Sequence, residues 1–168
     1  AFTAFSEFVL EFSFSVEQLT SIGIIAVTIL VYNLIFHSIR DKIKTVPRKF
    51  NVLHFSLLQM LLDLICLALL IYFTGGIESP LVFLFIFHMI IGSLILPGRI
   101  VYFLAVLIIL LTGVLSYFEY AGIIQHHTLN GFLGFSLYDN PKYIIIFTSV
   151  FGFVILVSVY LTNGIAKQ

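Results

Sequence analysis

The segment Leu61-Leu62-Asp63-Leu64-Ile65-Cys66-Leu67-Ala68-Leu69-Leu70-Ile71-Tyr72-Phe73-Thr74-Gly75-Gly76-Ile77-Glu78-Ser79-Pro80 decides the fold. Its first thirteen residues are continuously apolar but for one aspartate, and its last seven form a tight joint before apolar sequence resumes. An unbroken apolar run excludes a half-buried strand, which would alternate with period two, and also a membrane β-barrel. Crossing a hydrocarbon core of roughly 30 Å takes about 20 helical residues. Runs of that kind lie at Leu19 to Ile39, Phe50 to Phe73, Pro80 to Leu96, Ile100 to Tyr120 and Pro141 to Thr162. The composition agrees: 61% of the 168 residues are hydrophobic and 10% charged, against about a quarter charged in a soluble domain. The chain reads as one all-α, polytopic transmembrane helical bundle, a single domain over residues 1–168 with five full crossings.

Outside these runs, Ala1 to Phe14 is apolar but short, carries Glu7 and Glu11, and starts without Met. It reads as an interfacial segment or, the reading preferred here, as the truncated end of a sixth, N-terminal helix, with Ser13 to Gln18 forming the first outer turn. The abrupt end at Asn163 to Gln168 fits continuation into a cytoplasmic domain as well as a short natural terminus. The first apolar segment follows no basic stretch of the kind that marks a cleaved signal peptide.

Formal net charge is zero, yet the charges are sorted. Arg40, Lys42, Lys44, Arg48 and Lys49 share one connection and Arg99 marks another, while Glu17, Glu78, Glu119 and Asp139 lie at the opposite helix ends, Lys142 being the exception. The positive-inside rule puts the basic loop 40–49 and the C-terminal end in the cytoplasm of a bacterial inner membrane, and the Thr74–Pro80 joint outside. Between Ala121 and Pro141 runs the longest outer connection, where a short interfacial helix is expected around Leu129 to Leu137.

Within the joint, Gly75 suits the left-handed residue that ends a helix, and Ser79-Pro80 suits the N-cap and first position of the next. The glycine pair and the exposed helix start favour an anion, a carbonyl or a polarised ring oxygen, unless the joint is only a well-capped turn. Asp63 is the second candidate, because an acid inside a span is costly and faces the bundle interior, where it marks function or a polar partner. Ser56, Gln59, Asp63 and Cys66 follow helical spacing along one face. His88, at comparable depth on the next crossing, could meet Asp63 directly, through water or through a ligand. His37 and His54 stand near the cytoplasmic boundary, a placement compatible with haem ligation but not specific to it, and haem is not expected. The adjacent His126 and His127 are expected to be solvated loop residues rather than metal ligands. Cys66 is the only cysteine, so no intrachain disulfide forms. No phosphate-binding glycine loop, metalloprotease motif or nucleophile elbow is present, and no catalytic or metal-binding set is expected in this segment.

The run from Leu62-Asp63-Leu64 through Thr74-Gly75-Gly76-Ile77-Glu78-Ser79-Pro80-Leu81 resembles the membrane sensor region of RegB/PrrB-type redox-responsive histidine kinases. It is similar to that family's aspartate-bearing helix and its glycine-glycine-x-x-asparagine-proline-phenylalanine motif, with Ser79 where asparagine is usual and Leu81 where phenylalanine is usual. The resemblance implies a domain that senses ubiquinone redox state, with ligand contacts at Gly75, Gly76, Ser79, Pro80 and Leu81. It further implies a homodimer in membrane lipid, a response regulator as partner, no nucleic acid, and an ATP-dependent kinase region outside this chain. Asp63 and His88 complete the candidate site. Two other readings stand beside it: a self-contained transport or haem/electron-transfer protein using Asp63 and the buried histidines, and a scaffolding subunit.

The charge sorting sets the topology to be checked. Single cysteines placed in loop 40–49 and in the Thr74–Pro80 joint, in a Cys66→Ser background, should react with a membrane-impermeant thiol reagent from opposite sides of the membrane. Labelling from the same side overturns the orientation.

Overall fold

A computed structural model describes residues 14–43, 52–128 and 136–166. Five α-helices follow one another: α1 (Val16–Ile43), α2 (Val52–Phe73), α3 (Leu84–Ile95), α4 (Gly98–Tyr120) and α5 (Pro141–Ile165). Among the described residues there is no strand. The four helices α1, α2, α4 and α5 are long and apolar enough to cross a membrane. α3 is shorter, but two 3₁₀ turns, Gly76–Glu78 and Pro80–Phe83, lead into it. Pro80 to Ile95 therefore reaches roughly 26 Å at the rises of the two helix types, slightly less than the hydrocarbon core. Nearly all of the expected partial helix at 1–14, residues 44–49 of the expected basic loop 40–49 and most of the expected helix at 129–137 lie outside the described residues, while residues 40–43 continue α1 rather than starting that loop. Residues 136–140 form a bend and a turn rather than a helix.

The core is built on α3. Val82, Phe85 and Met89 are almost wholly buried against Leu64, Leu67 and Ile71 of α2, Val101, Leu104 and Ile108 of α4, and Phe151, Ile155 and Val159 of α5. In lipid the apolar environment does not drive such helices together, so close approach through small residues carries much of the packing. Gly113 and Gly152 supply that approach between α4 and α5: a β-carbon on Gly152 would lie 3.2 Å from the side chain of Ile109, and one on Gly113 3.2 Å from Thr148. By contrast α1 packs chiefly on α2, and only 6% of its most apolar window is buried.

Local sequence sets the helix ends. Ser15 and Gln18 form a reciprocal capping box at the start of α1, with the Gln18 amide donating to the Ser15 hydroxyl oxygen and the Ser15 amide donating to Gln18 Oε1. Asn140 caps α5 through bonds from the amides of Lys142 and Tyr143, with Pro141 at the first helical position. The connection between α3 and α4 is a sharp turn at Leu96 and Pro97.

Replacing Gly152 by Leu should force α4 and α5 apart and destabilise the bundle by about 1–3 kcal/mol, the usual cost of overpacking. Gly164, with nothing near its β-position, is the control. A thermal melt of both leucine variants in detergent checks this, and equal midpoints would show that the α4–α5 approach is not close.

Candidate functional site

The joint between α2 and α3 takes the conformation its residues imply. Gly75 has φ 109° and Gly76 φ 56°, both in the left-handed region where glycine alone is unstrained. Ser79 is the N-cap, accepting a 3.3 Å bond from the Leu81 amide, and Pro80 follows at the first helical position. The Ser79 hydroxyl also lies 2.8 Å from the Thr74 hydroxyl, which bonds back to Leu70 O at 2.7 Å. Thr74 and Ser79 are both buried, whereas Pro80 is exposed and Leu81 half-buried.

The space above the glycine pair is filled by the protein itself. A β-carbon on Gly76 would lie 2.5 Å from Glu119 Oε2, at the last turn of α4. Beneath it remains a cavity of about 20 Å³ lined by Ile71, Gly76, Phe85, Thr112, Ser116 and Glu119, room for a single water. Gly76 thus admits a carboxylate of the same chain.

Glu119 belongs to a cluster that the sequence analysis missed. His126 lies between two carboxylates, with Nε2 3.4 Å from Glu78 Oε2 and Nδ1 3.5 Å from Glu119 Oε1. The side chains of His126, Glu78 and Glu119 are 5%, 3% and 2% exposed. Neither contact has hydrogen-bond geometry at the ring nitrogens, so the pairing is ionic when the imidazole is protonated. The ring stacks on Tyr138, with centroids 3.7 Å apart and planes at 19°. Glu78 is further held by the amides of Leu137 at 2.5 Å and Tyr138 at 3.2 Å, tying the joint to the segment that leads into α5. Burial alone would lower the His126 pKa, but Glu119 and then Glu78 outweigh it, and the imidazole titrates above the ordinary histidine value.

His127 turns the other way, buried edge-on against Tyr72 and Phe73 of α2. The expectation of two solvated histidines is therefore corrected: each neighbour finds its own partners, one acidic and one aromatic. Tyr72 donates to Gln125 O at 3.0 Å, and Gln18 of α1 reaches Phe73 O at 3.2 Å and Thr128 O at 3.4 Å. Residues 121–128 form a cap over this end of the bundle.

Deeper in the bundle, Asp63 pairs with the Tyr32 hydroxyl of α1, which donates to Oδ1. His88, by contrast, has Nδ1 3.0 Å from Leu84 O within its own helix, and among the described residues no hydrogen bond joins it to Asp63. Ser56, Gln59 and Asp63 do share a face, lining a cleft of about 150 Å³ with Met60, Gly92 and the exposed Ile91 and Ile95. Gln59 also donates to Asn33 of α1 at 3.3 Å. Cys66 is buried one turn further along. His37 and His54 are both exposed. Among the described residues no group of three or more histidine, cysteine or acidic side chains is placed to hold a metal ion.

The described residues thus form an all-helical bundle with a polar cleft between α2 and α3 and a charged cap at one end. A model of the PilS-like transmembrane domain, a six-helix membrane domain of sensor kinases, matches residues 1–167. The chain belongs to that family, and with it to the sensing domains of sensor kinases. Neither the curated proteins nor the solved structures contain a significant match.

The contact between Gly76 and Glu119 is open to a mutant cycle. Gly76→Ala should destabilise the protein by about 1–2 kcal/mol through left-handed strain plus the clash with Glu119. In a Glu119→Ala background the clash is gone and the cost should fall. Equal costs in the two backgrounds, measured by thermal or denaturant unfolding, would show that Glu119 does not cover Gly76.

Proposed function

We propose that the chain receives the signal for a dimeric sensor histidine kinase. In this reading the hairpin end faces outward from a bacterial inner membrane, the 40–49 loop and the far end of α5 face the cytoplasm, and a cytoplasmic kinase region passes the signal to a response regulator. The signal is a lipophilic ring bearing polar oxygens, of which a membrane quinone is the type.

One observation carries the ligand: the cleft of about 150 Å³ within the span, where Ser56, Gln59 and Asp63 line a space bordered by the lipid-exposed Ile91 and Ile95. Polar groups in hydrocarbon are costly unless they have partners, and a quinone oxygen accepts from an amide or hydroxyl while its ring stays in apolar surroundings. Asp63 exchanges partners readily, since its carboxylate accepts from Tyr32 and its protonated form can donate. His88, three residues before Ile91, stands on the same face of α3.

The hairpin residues Gly75, Gly76, Ser79, Pro80 and Leu81 support ligand binding less well, because Glu119 fills the approach to Gly76 and Thr74 engages Ser79. A ring would reach Gly76 only by displacing Glu119. The cleft lies between α2 and α3, and α3 packs on α5, which runs to Ile165 at the opposite end. A ligand that favours one α2–α3 packing over another therefore shifts the position of α5. A ligand of equal affinity for both would shift nothing.

The test is autophosphorylation of the full-length protein in proteoliposomes, with oxidised or reduced quinone titrated in. Asp63→Asn and Gln59→Leu should raise the quinone concentration for half-effect by about tenfold, the loss of one buried hydrogen bond. Ser79→Ala should leave it within about twofold. The reverse pattern moves the site to the hairpin, and an unaltered response in all three removes quinone as the ligand of either site.

A further inference from the structure

The cleft leaves the charged cap unused, and the cap has the organisation of a switch. We propose that His126 is a proton-operated latch, in which the imidazolium bridges Glu78 and Glu119 to hold residues 121–128 on the hairpin, and loss of its proton releases them. The domain would then take proton concentration at the hairpin end as an input separate from the ligand in the cleft. The inference rests on the sensing role and outward orientation proposed above.

The geometry favours a proton over a metal ion. Glu78 and Glu119 approach opposite nitrogens of one ring, so no single ion could bind the imidazole and both carboxylates in this arrangement. An imidazolium presents a donor at each nitrogen and places one positive charge between the two acids, whereas a neutral ring has a donor for only one of them. Its stacking on Tyr138 adds a further attraction for the charged form. Among the described residues Glu119 Oε1 and both ring nitrogens have no hydrogen-bond partner, so an imidazolium would hold the two carboxylates by its charge.

The groups around His126 come from every neighbouring element. Glu78 faces it from the hairpin, Glu119 from α4, and Tyr138, with Asp139 beside it, from the lead into α5. On its own segment the neighbour is His127, which packs on Tyr72 of α2, where Glu17 of α1 also contributes negative charge. Among the described residues the facing charges are thus acidic, and Glu119 and Glu78 favour the protonated ring.

The linkage has a definite sign. His126 has its folded pKa raised, so its stabilisation is fully present below the unfolded histidine value of about 6.5 and is lost as pH rises through the higher folded value. The latch is also attached to a lever. Glu78 holds the amides of Leu137 and Tyr138, immediately before the Asn140 cap and Pro141 at the start of α5. Releasing the cap frees the end of the helix that runs the length of the bundle.

Thermal midpoints of the full-length protein in nanodiscs, compared with His126→Gln at about pH 6 and about pH 9, test the latch. Wild type should exceed the variant by about 2–4 °C at the lower pH, and the gap should shrink at the higher. A gap that does not change with pH makes His126 a packing residue and overturns the proposal. Should His126→Gln fail to fold, Glu119→Gln replaces it with the same expected pH dependence and the same overturning result.

Autophosphorylation in proteoliposomes, with pH varied on the hairpin side alone, then tests the input. Wild-type output should change several-fold across the titration of His126, and the variant should lose that dependence while keeping its quinone response. Identical pH profiles for wild type and variant would overturn the regulatory role. Loss of the quinone response in wild type itself would instead count against the proposed ligand and leave the latch standing.

Discussion

Hydrocarbon offers no hydrogen-bond partner, and the whole architecture follows from that constraint. Each backbone polar group within the bilayer must be satisfied by the chain, which dictates helices and makes every interruption a local problem. At the α2–α3 joint the problem is met by a left-handed glycine, a threonine hydroxyl returned to Leu70 O and a serine cap followed by proline. At the α3–α4 turn the Leu96 amide closes on Gly92 O before Pro97 redirects the chain. The same constraint governs side chains: Asp63 carries a tyrosine hydroxyl, and the two buried acids at the hairpin end share a histidine.

These two polar stations work by different physics. The Asp63 cleft lies within a span and has neutral donors and acceptors beside it, so a ligand of the kind proposed would be selected there by hydrogen bonding and shape. The cap sets one imidazole between two carboxylates at the hairpin end, and the proposed latch would vary in strength with the charge of that ring. Both reach α5, the first through α3 packing and the second through the backbone leading into Pro141. On the proposed reading a single helix would receive effects that arise at different depths.

What could be read from the chain was local. Gly75, Ser79 and Pro80 announce their conformations through neighbours one or two positions away, and the face shared by Ser56, Gln59 and Asp63 follows from helical periodicity. Their partners were not legible, because depth along a span does not specify which neighbouring helix supplies a contact. Tyr32 and His88 both satisfy a rough depth match with Asp63, and only the packing of α1 against α2 selects Tyr32. His126 was hidden for a related reason. Its partners Glu78 and Glu119 belong to different elements, and the adjacent pair His126-His127 gives no sign that an irregular backbone directs the two rings into opposite environments. A signal was present in the clustering of Glu78, Glu119 and His126 at one end of a chain with few charges. Its weight becomes clear only once Gly76 is seen to admit a carboxylate. The count of crossings was blurred by α3, whose 3₁₀ entry gives an apolar run a different length from an ideal helix of the same residues.

The placement of α1 has a further consequence. Its lipid-facing and helix-facing surfaces are about equally oily, so hydrophobicity gives little reason to prefer one lateral position over another. What positions it is directional: Tyr32 on Asp63, Asn33 on Gln59, the edge of Phe36 on Phe55 and, at the hairpin end, Gln18 on Phe73 O. These attachments act like buttons along a seam. Undoing them would expose no apolar surface to water, so the lateral position of α1 rests on these few directed contacts rather than on the hydrophobic effect.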